Sequence, residues 1–344
     1  MADQRADRPA GRVVVAVPWS VDPVTAAGLQ GRAGVEVMRG RLDFGRGRWR
    51  ASAGHAVDAV RAVLRARRAD ALVLMTVGDE VLVAGLLLRA LDVLPRRRRA
   101  RLVVVDFLLP RSTAGRRLRR FALGRVDRWL CIRSGDRETL ARTFDVTPTR
   151  TTFLPFPAPP PTVDDPRAAT DAPGDAPYVY AAGNAHRDWP LLVAAAPKVR
   201  SRIVIMADGG HPALRDPLPD NVFRMDMVAP AAAREIMRAA TVVAVPLIDT
   251  HLPAGPLVLV DALAAGKPVV ATDVNGTRDY VVDGETALTV APGDHDGLAD
   301  ALNRLLEDHS LAHRLADNAR QWAISHLGTS AFVDTVLEEA RRHT

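Results

Sequence analysis

Cysteine, lysine and aromatic residues are all scarce in this 344-residue chain, and each scarcity excludes something. With Cys131 as the single cysteine, neither an internal disulfide nor a multi-cysteine metal cluster can form, and a cytoplasmic protein is expected. Of 46 basic residues only Lys198 and Lys267 are lysines. Aromatics make up 5% of the chain, and no aromatic stacking pattern accompanies the arginines, so nucleic acid is not an expected partner. Long apolar runs are missing as well. The longest, residues 71–94, is interrupted by Asp79, Glu80, Arg89 and Asp92, and a membrane span needs about 20 unbroken apolar residues. The first dozen residues, MADQRADRPAGR, lack the charged, apolar and small-residue zones of an export signal. Phosphate-loop and H-E-x-x-H motifs are also absent, and Asp294-His295-Asp296 reads as a helix N-cap cluster rather than a metal site.

What is present is the composition of a soluble globular protein, 48% hydrophobic and 25% charged, at a length that suits about two domains. The net charge of +6 conceals a division. Residues 1–150 hold 30 arginines against 15 acids, while residues 151–344 hold 16 basic residues against 25 acids, so the halves carry +15 and −9. A field of that sign on one domain favours anionic partners such as phosphorylated acceptors or acidic lipid headgroups. An arginine-rich face that is merely solvated is the competing reading. The densest stretch comprises Arg96 to Arg99 and then Arg111, Arg116, Arg117, Arg119, Arg120 and Arg125, interleaved with Leu118, Phe121 and Leu123. Either these three apolar residues face the core, or they form an interfacial helix in peripheral contact with an anionic membrane.

Short β-rich runs alternate with helical patterns throughout, which predicts parallel sheets crossed by helices. Strands are expected at 12–17, 71–75, 101–107 and 128–132, with helices at 56–66, 80–94 and 135–144, the last capped by Ser134. Residues 154–177, LPFPAPPPTVDDPRAATDAPGDAP, read as an extended linker without packing signals. Strands then recur at 178–182, 202–207, 221–224, 241–245, 268–272 and 286–290, and helices at 190–196, 231–240, 257–265, 295–307 and 311–325. The expected fold class is α/β, with two doubly wound Rossmann-like domains at 13–153 and 178–325 facing across a cleft. A disordered tail (1–12) precedes them, and a C-terminal helix (326–344) returns to the first domain. Such sheets bind ligands at the carboxyl ends of their strands.

The richest segment is 254–294, AGPLVLVDALAAGKPVVATDVNGTRDYVVDGETALTVAPGD. Gly255 allows close backbone approach, Pro256 suits the first position of a helix, and the free N–H groups of that helix start would favour a phosphate. Asp261 follows on the same helix, where a carboxylate can accept two hydrogen bonds from a ribose diol. A helix that begins with Gly-Pro and shows Asp261 to solvent is the plainer alternative.

Residues 241–325 resemble the nucleotide-sugar-binding domain of the retaining GT-B glycosyltransferases of family 4. The matching positions include Leu257, Val258, Asp261 (for glutamate), Ala262, Ala264, Gly266, Pro268, Val269, Val270, Ala271 and Thr272. They continue through Gly276, Asp279 (for glutamate), Val281, Asp283, Gly284, Leu288, Val290, Pro292 and Asp294. Upstream, YVYAAGNAHRDWPLLVAAA resembles the family's first strand, glycine loop and helix. The resemblance implies that Gly183 turns the loop and that Arg187 clamps the donor diphosphate and acts in catalysis. It places Pro253, Ala254, Gly255, Pro256, Leu257 and Asp261 along the donor, with Asp249 or His251 touching the sugar. A pairing of Arg187 with Asp188 is the competing reading.

The family's first motif glutamate falls on Pro253 here, and its glycine on Pro256. In the first half, 126–146 resembles the strand and helix before the family's hinge, and Asp106 stands where the family has a histidine. Asp106 would then bind or deprotonate an acceptor hydroxyl, unless it is a buried capping residue. The activity implied is sugar transfer from a nucleoside diphosphate sugar to an acceptor hydroxyl, with retention; the charge division, not the resemblance, adds an anionic, lipid-linked or phosphorylated acceptor at the inner face of the membrane, against a soluble acceptor if the arginines are merely solvated. The donor is a substrate, and neither cofactor nor metal is expected. Loss of the first glutamate keeps open a binding subunit without turnover, and a GT-B epimerase is a further alternative.

Overall fold

A computed structural model describes residues 11–17, 28–40, 48–78, 80–94, 99–107, 115–158, 176–208, 210–215, 217–250 and 257–342. The expectations for residues 1–10, Arg96 to Arg98, Arg111, His251, residues 253–256 and most of the 154–177 stretch lie outside these. The chain divides into two compact units, one of residues 1–155 with 329–344 and one of residues 156–328.

The first unit is built on a parallel sheet of β1 (Val13–Val17), β2 (Val35–Arg39), β3 (Ala71–Val77), β4 (Arg101–Phe107), β5 (Arg128–Cys131) and β6 (Thr151–Phe153). Their spatial order is β2-β1-β3-β4-β5-β6. All five residues of β1 are buried, as expected of a parallel strand covered on both faces. Its side chains alternate between two cores. Val14 and Ala16 pack with residues of α1 (Arg48–Ala66), α2 (Glu80–Asp92), α3 (Arg116–Leu123) and α4 (Ser134–Phe144). Val13, Val15 and Val17 pack with Phe332, Val333, Val336 and Leu337 of the last helix, Thr329–Arg341. α2 and α3 come close enough that a Cβ on Gly85 would lie 2.4 Å from the Ala122 carbonyl oxygen, so only glycine fits there.

The second unit holds β7 (Tyr178–Ala182), β8 (Arg202–Met206), β9 (Val222–Met225), β10 (Val242–Val245), β11 (Val269–Thr272) and β12 (Leu288–Val290), all parallel. Read along the sheet, β9-β8-β7-β10-β11-β12 is the dinucleotide-binding order 3-2-1-4-5-6, which reverses direction between β7 and β10. Its helices are α5 (Trp189–Ala195), α6 (Pro230–Ala239), α7 (Leu257–Ala264), α8 (His295–Glu307) and α9 (His309–His326), and Thr329–Arg341 is α10. Asp294 does cap α8, accepting from the Gly297 N–H.

The structure corrects several expectations. β2 and β6 were not anticipated, because VEVMR carries two charges, Glu36 and Arg39, in five residues and TTF is only three residues long. Ser134 lies inside α4, whose cap residue is Arg133 with no capping side chain. The start of the expected linker is packed: Leu154, Phe156 and Ala158 are buried. The Leu154 N–H donates to the Cys131 carbonyl, and the Phe156 N–H to the Tyr280 hydroxyl. Leu118 and Phe121 do not face the core, being 59% and 54% exposed, whereas Leu123 is fully buried.

Candidate functional site

At the reversal point of the second sheet, the loops that follow β7 and β10 are laced together. The Ile248 N–H donates to the His186 carbonyl, and the Asp188 N–H to the Pro246 carbonyl, at 3.0 Å each. Leu247 bridges to Arg187 and donates its N–H to Thr272 Oγ1 on β11. Asn184 exchanges two hydrogen bonds with Asp208, tying the same loop to the end of β8. Left-handed backbone at Gly183 and His186 gives the loop its tight turn.

Arg187 is folded back into this turn and is only 5% exposed. Its Nε donates to the Ala182 carbonyl at 2.7 Å and its Nη1 to the Ala185 carbonyl at 3.2 Å. The guanidinium lies 3.0 Å from where a Cβ on Gly183 would project, so the glycine is needed both for its φ of 112° and for this space. Asp188 does not pair with Arg187; its carboxylate caps α5 by accepting from the Leu191 N–H. Among the described residues no carboxylate forms an ion pair with Arg187. Burial accordingly lowers its pKa to about 10, which marks it as a desolvated cation.

Asp261 is neither solvent-facing nor isolated. On α7, Leu259, Val260, Ala262 and Leu263 are buried, and Asp261 turns toward α6, where Arg234 Nε lies 3.3 Å from its Oδ2. Tyr180 of β7 is a buried phenol whose pKa is raised, chiefly by burial, with Tyr178 and Asp261 adding to the rise and Arg187 opposing it. Tyr180 and Arg234 escaped the sequence reading, since neither belongs to a recognisable motif and both matter through tertiary contacts. Asp249 is exposed and within electrostatic reach of Arg278. Leu257 is half exposed at the start of α7, and the residues just before it are outside the described ones.

In the first unit, Asp106 sits near the carboxyl end of β4 with φ of 52°, a strained value for a residue other than glycine. Its carboxylate meets Arg133 Nη2 at 3.2 Å, and the same nitrogen lies 2.6 Å from Asp136, all three side chains being buried. Asp106 is thus held as part of an ionic triad. Gly31 and Gly34 form an exposed turn before β2.

Residues 176–308 match the family described as Glycosyl transferases group 1. The lipopolysaccharide core biosynthesis glycosyltransferase LpsE of Rhizobium meliloti is 28% identical over 177 residues, covering 50% of this chain and 52% of its own. The phosphatidyl-myo-inositol mannosyltransferase of Mycolicibacterium smegmatis is 35% identical over 129 residues, covering 35% and 33% respectively. The chain therefore matches about half the length of the first relative and a third of the second. In three dimensions it resembles Anabaena Alr3699/HepE in complex with UDP-glucose, with a TM-score of 0.67 at 15% identity over 96% of this chain and 99% of that one. Residues 176–308 are thus similar to the glycosyl transferases group 1 family, within a chain whose two parallel sheets have the GT-B fold.

Proposed function

We propose that this protein transfers a sugar from a nucleoside diphosphate sugar to an acceptor hydroxyl, with retention at the anomeric carbon and without a metal. The observation that carries the reading is Arg187, a buried guanidinium without a carboxylate partner among the described residues, at the reversal point of a 3-2-1-4-5-6 sheet. Burying such a charge is costly unless an anion meets it, and a planar donor fork suits a diphosphate. The start of α7 would add its dipole, and Asp261 would take the ribose hydroxyls. In the reaction the acceptor oxygen bonds to the anomeric carbon on the face from which the diphosphate leaves. The carbon–phosphate oxygen bond breaks, and the hydroxyl proton passes to a phosphate oxygen. Arg187 stabilises the charge that develops on that leaving group.

The acceptor is assigned to the first unit, with Asp106 as the carboxylate that meets its hydroxyl. α3 supports an acceptor at an anionic lipid surface, because Leu118 and Phe121 stand exposed beside the exposed Arg116 and Arg117. Among the described residues no helix is long and apolar enough to cross a membrane.

Thermal denaturation with UDP-, GDP-, ADP- and dTDP-sugars tests the donor assignment, since a ligand of the folded state alone must raise its stability. One series is expected to shift the transition, and none doing so would sink the proposal. Donor consumption with excess sugar nucleotide then separates a transferase from an inactive binding subunit.

A further inference from the structure

The pairing of Asp261 with Arg234 is the feature of the second unit that the donor reading leaves unused. Nε and Oδ2 are 3.3 Å apart, and both side chains are 18% exposed, so solvent screens the pair less than it would a surface pair. Arg238, one turn further along α6, donates to Glu235, and Lys267 donates to the Arg238 carbonyl. Tyr180 of β7 lies within electrostatic reach of both the Asp261 carboxylate and the Arg187 guanidinium.

We infer that Arg234 is a positioning and specificity-determining residue for the ribose of the nucleotide, holding the Asp261 carboxylate in place for the sugar hydroxyls. The inference rests on the donor reading and goes one residue beyond it. Three physical points support it. Aspartate is one methylene shorter than the glutamate it replaces, so its reach is less by about 1.5 Å, and a short carboxylate must be held in one orientation to be useful. A lone carboxylate near a diphosphate would repel it. Arg234 neutralises that charge, leaving Arg187 as the net positive group. Finally, each ribose hydroxyl both donates and accepts, and an aspartate–arginine pair offers acceptors and donors side by side.

Calorimetric titration of the full chain with UDP, GDP and ADP and with their 2′-deoxy counterparts tests this. The wild-type protein is expected to prefer the ribose form of the nucleotide that it binds by about tenfold, the value of one hydrogen bond to a charged group. In Arg234→Ala the preference should fall to about twofold or less, and Asp261→Ala should lose it equally. The double variant should show the same ratio as Asp261→Ala alone, because Arg234 acts on the ribose through Asp261. A purely structural role would weaken both nucleotide forms in proportion and leave the ratio unmoved. If Arg234→Ala lowers the thermal transition, Arg234→Gln carries the same measurement. Wild-type indifference to the 2′-hydroxyl, or a wild-type ratio retained in the Arg234 variants, would overturn the inference while leaving diphosphate binding intact. Failure of wild type to bind any of the six nucleotides would overturn the donor reading, and this one with it.

Discussion

At the scale of single residues, Arg187 carries the sharpest consequence, because burying its charge costs the free protein stability that the proposed diphosphate would return. The fall of its pKa from 12.5 to about 10 corresponds to about 3 kcal/mol of unfavourable charge burial, present at every pH below about 10. Stability from this group should therefore rise as pH climbs from about 10 toward 12.5, since there the unfolded chain holds the proton that the folded one releases. Arg187→Met removes the charge and keeps much of the volume. It is expected to leave the free protein as stable as wild type or more stable by up to about 2 kcal/mol. The same change should weaken binding of the nucleoside diphosphate by about 1.5–3 kcal/mol. Denaturation with and without ligand reads both quantities. Strong destabilisation of the free variant would make Arg187 a brace for the Ala182 and Ala185 carbonyls rather than a ligand clamp. The position of Arg187 was readable from its glycine loop. That no carboxylate among the described residues pairs with it was not, because only the folded chain commits Asp188 to the α5 cap.

Among the elements, α3 separates pattern from packing most clearly. Its sequence RRLRRFAL is compatible with an inward or an outward apolar face, and the structure buries Ala122 and Leu123 while exposing Leu118 and Phe121. Phe121 is covered in part by Arg89 of α2, whose guanidinium carbon is 4.3 Å from the ring centroid. Replacing both exposed residues, in Leu118→Ser/Phe121→Ser, should change stability by no more than about 1 kcal/mol. It should nevertheless reduce co-sedimentation with phosphatidylglycerol vesicles. Wild-type partition should weaken steeply with salt, at about 1 kcal/mol per basic residue near the surface. Equal partition onto neutral and anionic vesicles, or none onto either, would return α3 to the role of a solvated face and favour a soluble acceptor.

For the molecule as a whole, the chain path matters more than any one contact. The first unit is closed by its last helix: α10 lies against β1, β3 and β4 through Phe332, Val333, Val336 and Leu337, all buried. It is also held by Glu339, a buried carboxylate 3.2 Å from Arg128 Nε and 3.0 Å from Arg342 Nη1. Phe332→Ala should cost about 3–5 kcal/mol and loosen the first unit. Cys131 reports this. Burial pushes its thiol pKa up to about 12, so alkylation of the native protein should be very slow and should quicken many-fold in the variant. The unfolded thiol ionises near its ordinary value while the folded one keeps its proton to about 12, so stability from this group falls as pH rises through that window. Hydrogen exchange should show lost protection in β1, β3 and β4 with β7 to β12 unchanged. Loss of protection spread equally through both sheets would contradict the division into two units.

Alternation of apolar runs with helical periods was enough to expect two parallel α/β sheets, because buried parallel strands such as VVVAV and RLVVVDF must be apolar on both faces. The same locality made the 254–294 motif and its family legible, since a strand end, a helix start and a carboxylate one turn on are neighbours in sequence as well as in space. Short or charged edge strands, β2 and β6, were not legible, as their pairing energy comes from the neighbouring strand rather than from their own composition. Contacts between distant segments were likewise decided only on folding. Arg234 reaches Asp261 across 27 positions, and Arg133 shares one nitrogen between Asp106 and Asp136. Local sequence sets which residues are charged. Which charge is buried, paired or left facing a ligand depends on how helices pack against the sheet, because desolvation and Coulomb energy depend on distance in space and not along the chain.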